Sequence, residues 1–283
     1  MHANMRDPAQ HNRPQSGLLR WCKDRCATAV GLIKAARRPT QLTSGIRQLT
    51  PGFQSELDYW DTELSLKGTY PEAILDRTQP ARMANCYPAY ISPFIEEAAK
   101  RRGRAPKVLD VGSGPLSMLV YGSEKGLFEL TCADPLAGEY EALLTKYGYP
   151  HRSRLVQCRG EALSKVFGLD EFDLVWIHNA LDHSQSPRDV FVEMARVLAP
   201  GGYLIVQSWA KEGRNEGYIG LHQHDLYLGA PGQLMCETRG AEQQGACCLN
   251  EGLTLELIES ASEFTGEREW IRLIYRKPLR NPA

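Results

Sequence analysis

From Lys107 onward, short apolar runs alternate with stretches whose apolar residues recur every three or four positions. A parallel sheet with helical crossovers produces this pattern, because strands covered on both faces read as continuous hydrophobic runs. The runs predict strands at Lys107–Val111, Phe128–Ala133, Arg154–Cys158, Phe172–Ile177 and Tyr203–Ser208. Helices are predicted near Leu116–Lys125, Gly138–Tyr147, Glu161–Phe167 and Pro187–Leu198, the last stopped by Pro200-Gly201-Gly202. Leu253–Ile258 and Trp270–Tyr275 predict two closing strands, with a turn at Thr265-Gly266. The expected fold is α/β: a doubly wound, mostly parallel seven-stranded sheet with helices on both faces.

Three segments depart from this rhythm. Residues 51–105 read as a helical cap. Phe53, Leu57, Tyr59, Trp60 and Leu64 share helical spacing up to Gly68, and a second helix runs from about Ile91 to Arg102 with its basic residues at the C-terminal end. Residues 211–250 interrupt the domain that spans 106–283. There His224–Leu228 alternates, Gly229-Ala230-Pro231-Gly232 turns, and Gln233–Thr238 returns, which predicts a hairpin inserted after the fifth strand. Residues 1–50 form a basic extension, expected to be partly disordered, with nine Lys/Arg against only Asp7 and Asp24. Within it, residues 17–38 place Leu18, Cys22, Ala29 and Ile33 on one helical face and Arg20, Lys23, Lys34, Arg37 and Arg38 on another. Such a helix packs on the protein's own body, contacts a membrane surface or acidic partner, or serves as a presequence.

Composition narrows the function classes. Hydrophobic content of 42% and charged content of 24% in 283 residues are those of an ordinary globular chain. A net charge of −1 argues against nucleic acid as a partner. No apolar run approaches the ~20 residues that span a bilayer. Eight cysteines without a regular framework fit reduced thiols, so a cytoplasmic location is expected.

The chemistry concentrates at Val108-Leu109-Asp110-Val111-Gly112-Ser113-Gly114-Pro115, a strand running through a glycine turn into a helix. Glycine lets the backbone turn tightly and approach a ligand, and Pro115 suits a first helical turn. The third glycine of the dinucleotide fingerprint is replaced by Ser117. Asp110 would repel a pyrophosphate but suits a positively charged ligand. These two residues disfavour a nicotinamide oxidoreductase. Asp134 ends the second strand, where an acid receives two ribose hydroxyls. Leu136 follows, placed to cover an adenine face. Glu161 is placed either to accept the adenine amino group or to serve as a helix N-terminal acid.

Taken together, VLDVGSGP at 108–115, Asp134, GEAL at 160–163 and FDLVWIHNALDHSQSPRDVFVEMARVLAPGG at 172–202 carry a resemblance. In that order they resemble the class I, seven-stranded S-adenosylmethionine-dependent methyltransferases, in particular the small-molecule branch. The resemblance implies S-adenosyl-L-methionine as cofactor, bound by Gly112, Gly114, Asp134 and Glu161. Asp110, Leu136, His178 and Asn179 are expected to complete the contact. Glu161 stands where the family more usually has Asp.

Ligands of this fold bind beyond the carboxyl ends of the strands, so His178–His183 should face the reaction. No Asp/Asn-Pro-Pro-Tyr/Phe motif follows the fourth strand and no Pro-Cys pair is present, which marks down nucleic-acid base methylation. The expected acceptor is a hydroxyl or amine of a small molecule or glycan precursor. His183, His222 and His224 are the expected catalytic residues, with His178 as a further candidate base. No metal is expected, since the ligand spacing matches no fixed motif and Cys22/Cys26 and Cys247/Cys248 lack zinc spacing. A divalent ion held by the His222-Gln223-His224-Asp225 stretch with His183 or Asp182 is the weaker alternative. Trp60, Tyr59 and Tyr87 are expected as acceptor walls or as core aromatics. The rival from another class is a catalytically silent cofactor-binding partner protein.

Overall fold

The computed structural model describes residues 50–240 and 245–280. The amphipathic segment 17–38, the rest of the basic extension and the Cys22/Cys26 pair lie outside the described residues.

Helix α1 (Pro51–Leu64) starts on Pro51, whose fixed φ suits a first turn, and buries Trp60, Glu63 and Leu64. Helix α2 (Pro71–Thr78) also begins on a proline and buries Ile74, Arg77 and Thr78. The two are latched by one carboxylate: Glu63 accepts the backbone N–H of Thr69 and of Tyr70, each at 2.8 Å. Helix α3 (Ser92–Arg102) carries Lys100, Arg101 and Arg102 in its last turn and stops at Gly103, where φ is +65°.

The sheet follows as β1 (Lys107–Val111), β2 (Glu129–Asp134), β3 (Arg154–Gln157), β4 (Phe172–His178) and β5 (Leu198–Trp209). Helices α4 (Val120–Glu124), α5 (Ala137–Tyr147) and α6 (Pro187–Val197) connect them, and a 3₁₀ turn spans Gly160–Lys165. Helix α6 is capped by Ser186, whose hydroxyl accepts from the Asp189 amide at 3.3 Å. After β5 come a short α7 (Glu212–Asn215) and a separate antiparallel sheet of β6 (His224–Leu228), β7 (Leu234–Thr238) and β8 (Cys247–Cys248). Then β9 (Glu256–Thr265) and β10 (Arg268–Arg276) close the main sheet.

The main sheet has seven strands in the order β3-β2-β1-β4-β5-β10-β9, all running the same way except β10, which pairs antiparallel with both β5 and β9. The chain winds outward from β1 to β3 and then restarts at β4 on the other side. The crevice of this fold therefore opens between β1 and β4. One apolar core joins a face of the sheet to α6 through Val190, Phe191 and Met194, and the other joins the opposite face to α3 through Ile95. A third cluster fastens α1 and α2 to α5 through Trp60, Leu64, Ile74, Tyr140 and Leu144.

The expected architecture is present, with differences at element ends. Helix α2 and strand β8 were not anticipated. The helix expected at Leu116–Lys125 is confined to Val120–Glu124, and the one at Glu161–Phe167 is the 3₁₀ turn. Strand β9 extends well past Ile258 through polar residues, because it is the outermost strand and is largely exposed along its length. Its limits come from pairing with β10 rather than from apolar content. Among the described residues, no helix is long and apolar enough to cross a membrane.

Candidate active site

A cleft lies at the carboxyl ends of β1, β2, β3 and β4. Its floor includes Asp110, Gly112, Gly114, Asp134, Leu136, Glu161, His178 and Asn179; Phe53, Trp60 and Arg77 from the cap line it as well. The loop ends of adjacent parallel strands bring these residues together, although they span seventy positions of sequence.

Two glycines shape the turn after β1. Gly112 has φ +65° and Gly114 φ +60°, conformations that cost a residue bearing a Cβ. Their space is taken from opposite sides. A Cβ on Gly112 would lie 2.6 Å from that of Ala180, and one on Gly114 would lie 3.0 Å from the Trp60 ring. Gly112 thus lets the turns after β1 and β4 meet, and Gly114 lets α1 close over the turn. Asn179, itself at φ +48°, directs Ala180 toward Gly112, and its Oδ1 accepts the Trp209 amide at 3.3 Å.

Both acids are buried. Asp134 accepts the amides of Gly114 at 3.1 Å and Leu136 at 2.9 Å, which fixes its carboxylate across the glycine turn. Asp110 accepts the Ser117 hydroxyl at 2.6 Å, so the serine in place of a third glycine holds the first acid. Burial pushes each carboxyl up to about 7, against the opposing pull of these hydrogen bonds. The charge of Arg77 also pulls Asp110 downward. Arg77 is buried and donates to the Leu116 carbonyl at 2.8 Å. This arginine was missed from sequence; Pro71 at the start of α2, with Glu72 in the first turn, was the available signal.

The remaining predicted residues divide by location. Leu136 is buried in the cleft wall beside Trp60 and Tyr140. Glu161 lines the cleft while its Oε1 accepts the Gln185 amide at 2.8 Å. His178 sits between the rings of Trp176 and Trp270, 5.3 Å from each. Trp60 covers the glycine turn, and its indole N–H donates to Glu56 at 2.9 Å. Tyr59 packs on Trp60, and Tyr87 packs on Tyr121 in the core; neither borders the cleft.

The histidines separate. His183 lines the cleft, and its Nε2 lies 3.1 Å from His222 Nδ1. His222 Nδ1 is in turn 2.8 Å from Asp182 Oδ2. Burial pushes the Asp182 carboxyl up, but the charge of His183 and the hydrogen bond from His222 outweigh it and hold the group at about 2. His224 lies elsewhere. It is buried, with Nδ1 2.9 Å from the Thr238 hydroxyl and Nε2 3.0 Å from the Ser184 carbonyl, so it ties the inserted sheet to the loop after β4. Burial lowers its basicity. Asp225 likewise faces its own segment, accepting the Tyr218 hydroxyl and the Arg214 amide, each at 2.7 Å.

Comparison with known proteins fits this geometry. Residues 109–206 match the family model described as a methyltransferase domain. An uncharacterized methyltransferase of Schizosaccharomyces pombe is 30% identical over 124 residues, covering 41% of this chain and 44% of that protein. A probable chloroplastic tocopherol O-methyltransferase of Oryza sativa subsp. japonica is 33% identical over 69 residues, covering 24% of this chain and 19% of that protein. The chain thus spans less than half the length of these curated relatives. The crystal structure of a Burkholderia thailandensis 1,6-didemethyltoxoflavin-N1-methyltransferase overlaps 83% of this chain and 93% of its own, at 18% identity and a TM-score of 0.44. The matched segment runs from β1 to β5 and contains the glycine turn and the strand-end acid Asp134, so this part of the chain is similar to a methyltransferase domain.

Proposed function

We propose that this protein transfers a methyl group from S-adenosylmethionine to a hydroxyl or amine of a small molecule or glycan precursor. The carrying observation is the pair of buried acids, Asp110 and Asp134, set on either side of a glycine turn in one cleft. The donor set fits the cofactor. Asp134 offers two carboxylate oxygens to a ribose diol, as a strand-end acid does in this fold. Leu136 and Glu161 border the space for the base. Asp110 and Arg77 supply opposite charges for an amino-acid end that carries both an ammonium and a carboxylate.

When bound, the cofactor supplies a methyl group activated by its sulfonium. The chain's own part is to exclude water with Trp60 and Phe53, to orient the acceptor, and to manage any proton the acceptor loses. His183 is an imidazole at the cleft wall, beside Asp182 and His222.

The test is methyl transfer from labelled cofactor into cell extracts by the purified protein, with mass identification of the labelled product. A labelled small molecule or glycan precursor is the expected result. Tight binding of S-adenosylhomocysteine without any labelled product would instead support a silent cofactor-binding partner. Label confined to protein or nucleic acid would overturn the acceptor class.

A further inference from the structure

At the mouth of the cleft, three potential ligand atoms from two chain segments converge. Asp182 and His183 belong to the 3₁₀ turn after β4, and His222 precedes β6, about forty residues later. Asp182 Oδ2 is 2.8 Å from His222 Nδ1 and 3.7 Å from His183 Nε2, and the two nitrogens are 3.1 Å apart. Hydrogen bonding alone serves this triangle poorly. A proton on His222 Nδ1 can point at the Asp182 oxygen or at the His183 nitrogen, but not along both directions at once.

A metal ion would serve all three. Ligand atoms about 2.1 Å from an ion lie roughly 3.0 Å apart at right angles and about 3.4 Å apart at tetrahedral angles. The observed separations bracket those values. The two imidazole planes stand at 81° with their centroids 4.4 Å apart, so the rings meet edge to face rather than stacked. A second observation also asks for a cation. Asp182 has no exposed surface, and its Oδ1 is buried without a hydrogen-bond partner among the described residues. An anionic carboxylate in that setting is compensated either by protonation of the two imidazoles or by a bound cation that both imidazoles ligate. Among the described residues, no other group of three His, Cys, Asp or Glu side chains brings its ligand atoms together in this way.

We propose that Asp182, His183 and His222 form a two-histidine, one-carboxylate site for a divalent transition-metal ion, such as Zn²⁺, Mn²⁺ or Co²⁺, on the acceptor side of the cleft. Three protein ligands leave coordination positions open. Since His183 lines the cleft, those positions are accessible to an acceptor hydroxyl, whose acidity the ion raises. The sequence alone gave no fixed motif because the ligands are split between the turn after β4 and the inserted segment. This acceptor role rests on the proposed methyl transfer, whereas the ion site itself does not.

The test uses the full chain, stripped with a chelator, dialysed and titrated with Co²⁺ and Zn²⁺. Bound metal is measured by elemental analysis and by the visible absorption of Co²⁺, and S-adenosylhomocysteine binding is followed by calorimetry in the same samples. The expected result is one equivalent per chain, with H222Q and H183Q each weakening binding by at least about tenfold. H222Q, whose residue does not line the cleft, should keep wild-type cofactor affinity, which reports its folding; the melting temperature reports the folding of H183Q, and D182N serves as a third, buried variant. No stoichiometric ion in the wild type, or unchanged affinity in folded H222Q and H183Q, would overturn the site and leave a hydrogen-bonded proton relay. Metal binding without S-adenosylhomocysteine binding would keep the ion site and sink the methyltransferase reading instead.

Discussion

Gly112→Ala tests the close approach of the two turns. At φ +65° an alanine pays about 1–2 kcal/mol for the left-handed backbone. Its Cβ would stand 2.6 Å from the Ala180 Cβ, a distance that real contacts do not sustain, and relieving such overpacking costs about 1–3 kcal/mol. The summed loss of about 2–5 kcal/mol should lower the melting temperature by roughly 5–15 °C in a domain of this size. The two contributions are separable. Ala180→Gly removes the opposing methyl while costing only about 0.4–1 kcal/mol through the unfolded chain. In the double variant the clash vanishes and the backbone cost stays, so the double variant should be more stable than Gly112→Ala alone. The coupling energy expected from urea unfolding of the four proteins is about 1–3 kcal/mol. Additive losses in G112A, A180G and the pair would refute the steric reasoning. Calorimetry with S-adenosylhomocysteine adds a second reading: affinity that recovers in the double variant assigns Gly112 to shaping the cleft rather than to ligand approach.

Other expectations follow from the same geometry. Asp134→Ala should weaken S-adenosylhomocysteine binding by about tenfold or more, since charge-assisted hydrogen bonds contribute about 1.5–3 kcal/mol each; calorimetry at pH 8 measures this. Burial raises Asp134 and Asp110 to about 7, so the unliganded protein retains protons that ribose and ammonium binding expels. Cofactor affinity should therefore climb as pH rises from 6 toward 8, with proton release visible in buffers of different ionisation enthalpy; proton uptake would contradict it. The same raised values mean that these two groups favour the folded state most below their ordinary range near 4. Their stabilising contribution falls as pH rises and reaches its minimum above about 7, which pH-dependent urea midpoints of the unliganded protein can follow. His224→Ala should lower the melting temperature by breaking the ties to Thr238 and Ser184 while leaving cofactor affinity within a few-fold; a selective loss of turnover without lost stability would instead support the expected catalytic role of His224.

The parallel part of the sheet was legible because strands buried on both faces announce themselves as apolar runs; β1 lies at the predicted residues, Lys107–Val111. The inserted hairpin was legible for a different reason, a four-residue turn between alternating stretches. What escaped was set by tertiary pairing. Strand β9 owes its length to β10, and the two-residue β8 exists only because β7 offers it an edge. At the site, the floor could be read from the glycine turn and strand-end acids, since backbone conformation and strand position fix them. The roles of the histidines could not, because one-dimensional proximity is misleading there. His222 and His224 are two residues apart, yet one meets Asp182 and the other is locked between Thr238 and Ser184. Arg77 was hidden by the brevity of α2, whose eight residues show too little periodicity to stand out.

The latch at Glu63 makes the cap a reporter. One carboxylate holds the amides of Thr69 and Tyr70, and the helices on either side deliver Trp60 and Arg77 to the cleft. Any molecule that touches both floor and roof is thermodynamically linked to the closing of that latch, so occupancy and cap order rise together. Solvent exchange at those two amides requires the carboxylate to let go, a local opening far smaller than global unfolding. Their exchange rates thus measure how often the roof lifts, and the slowing produced by a ligand gives its grip on the cap separately from its grip on the sheet.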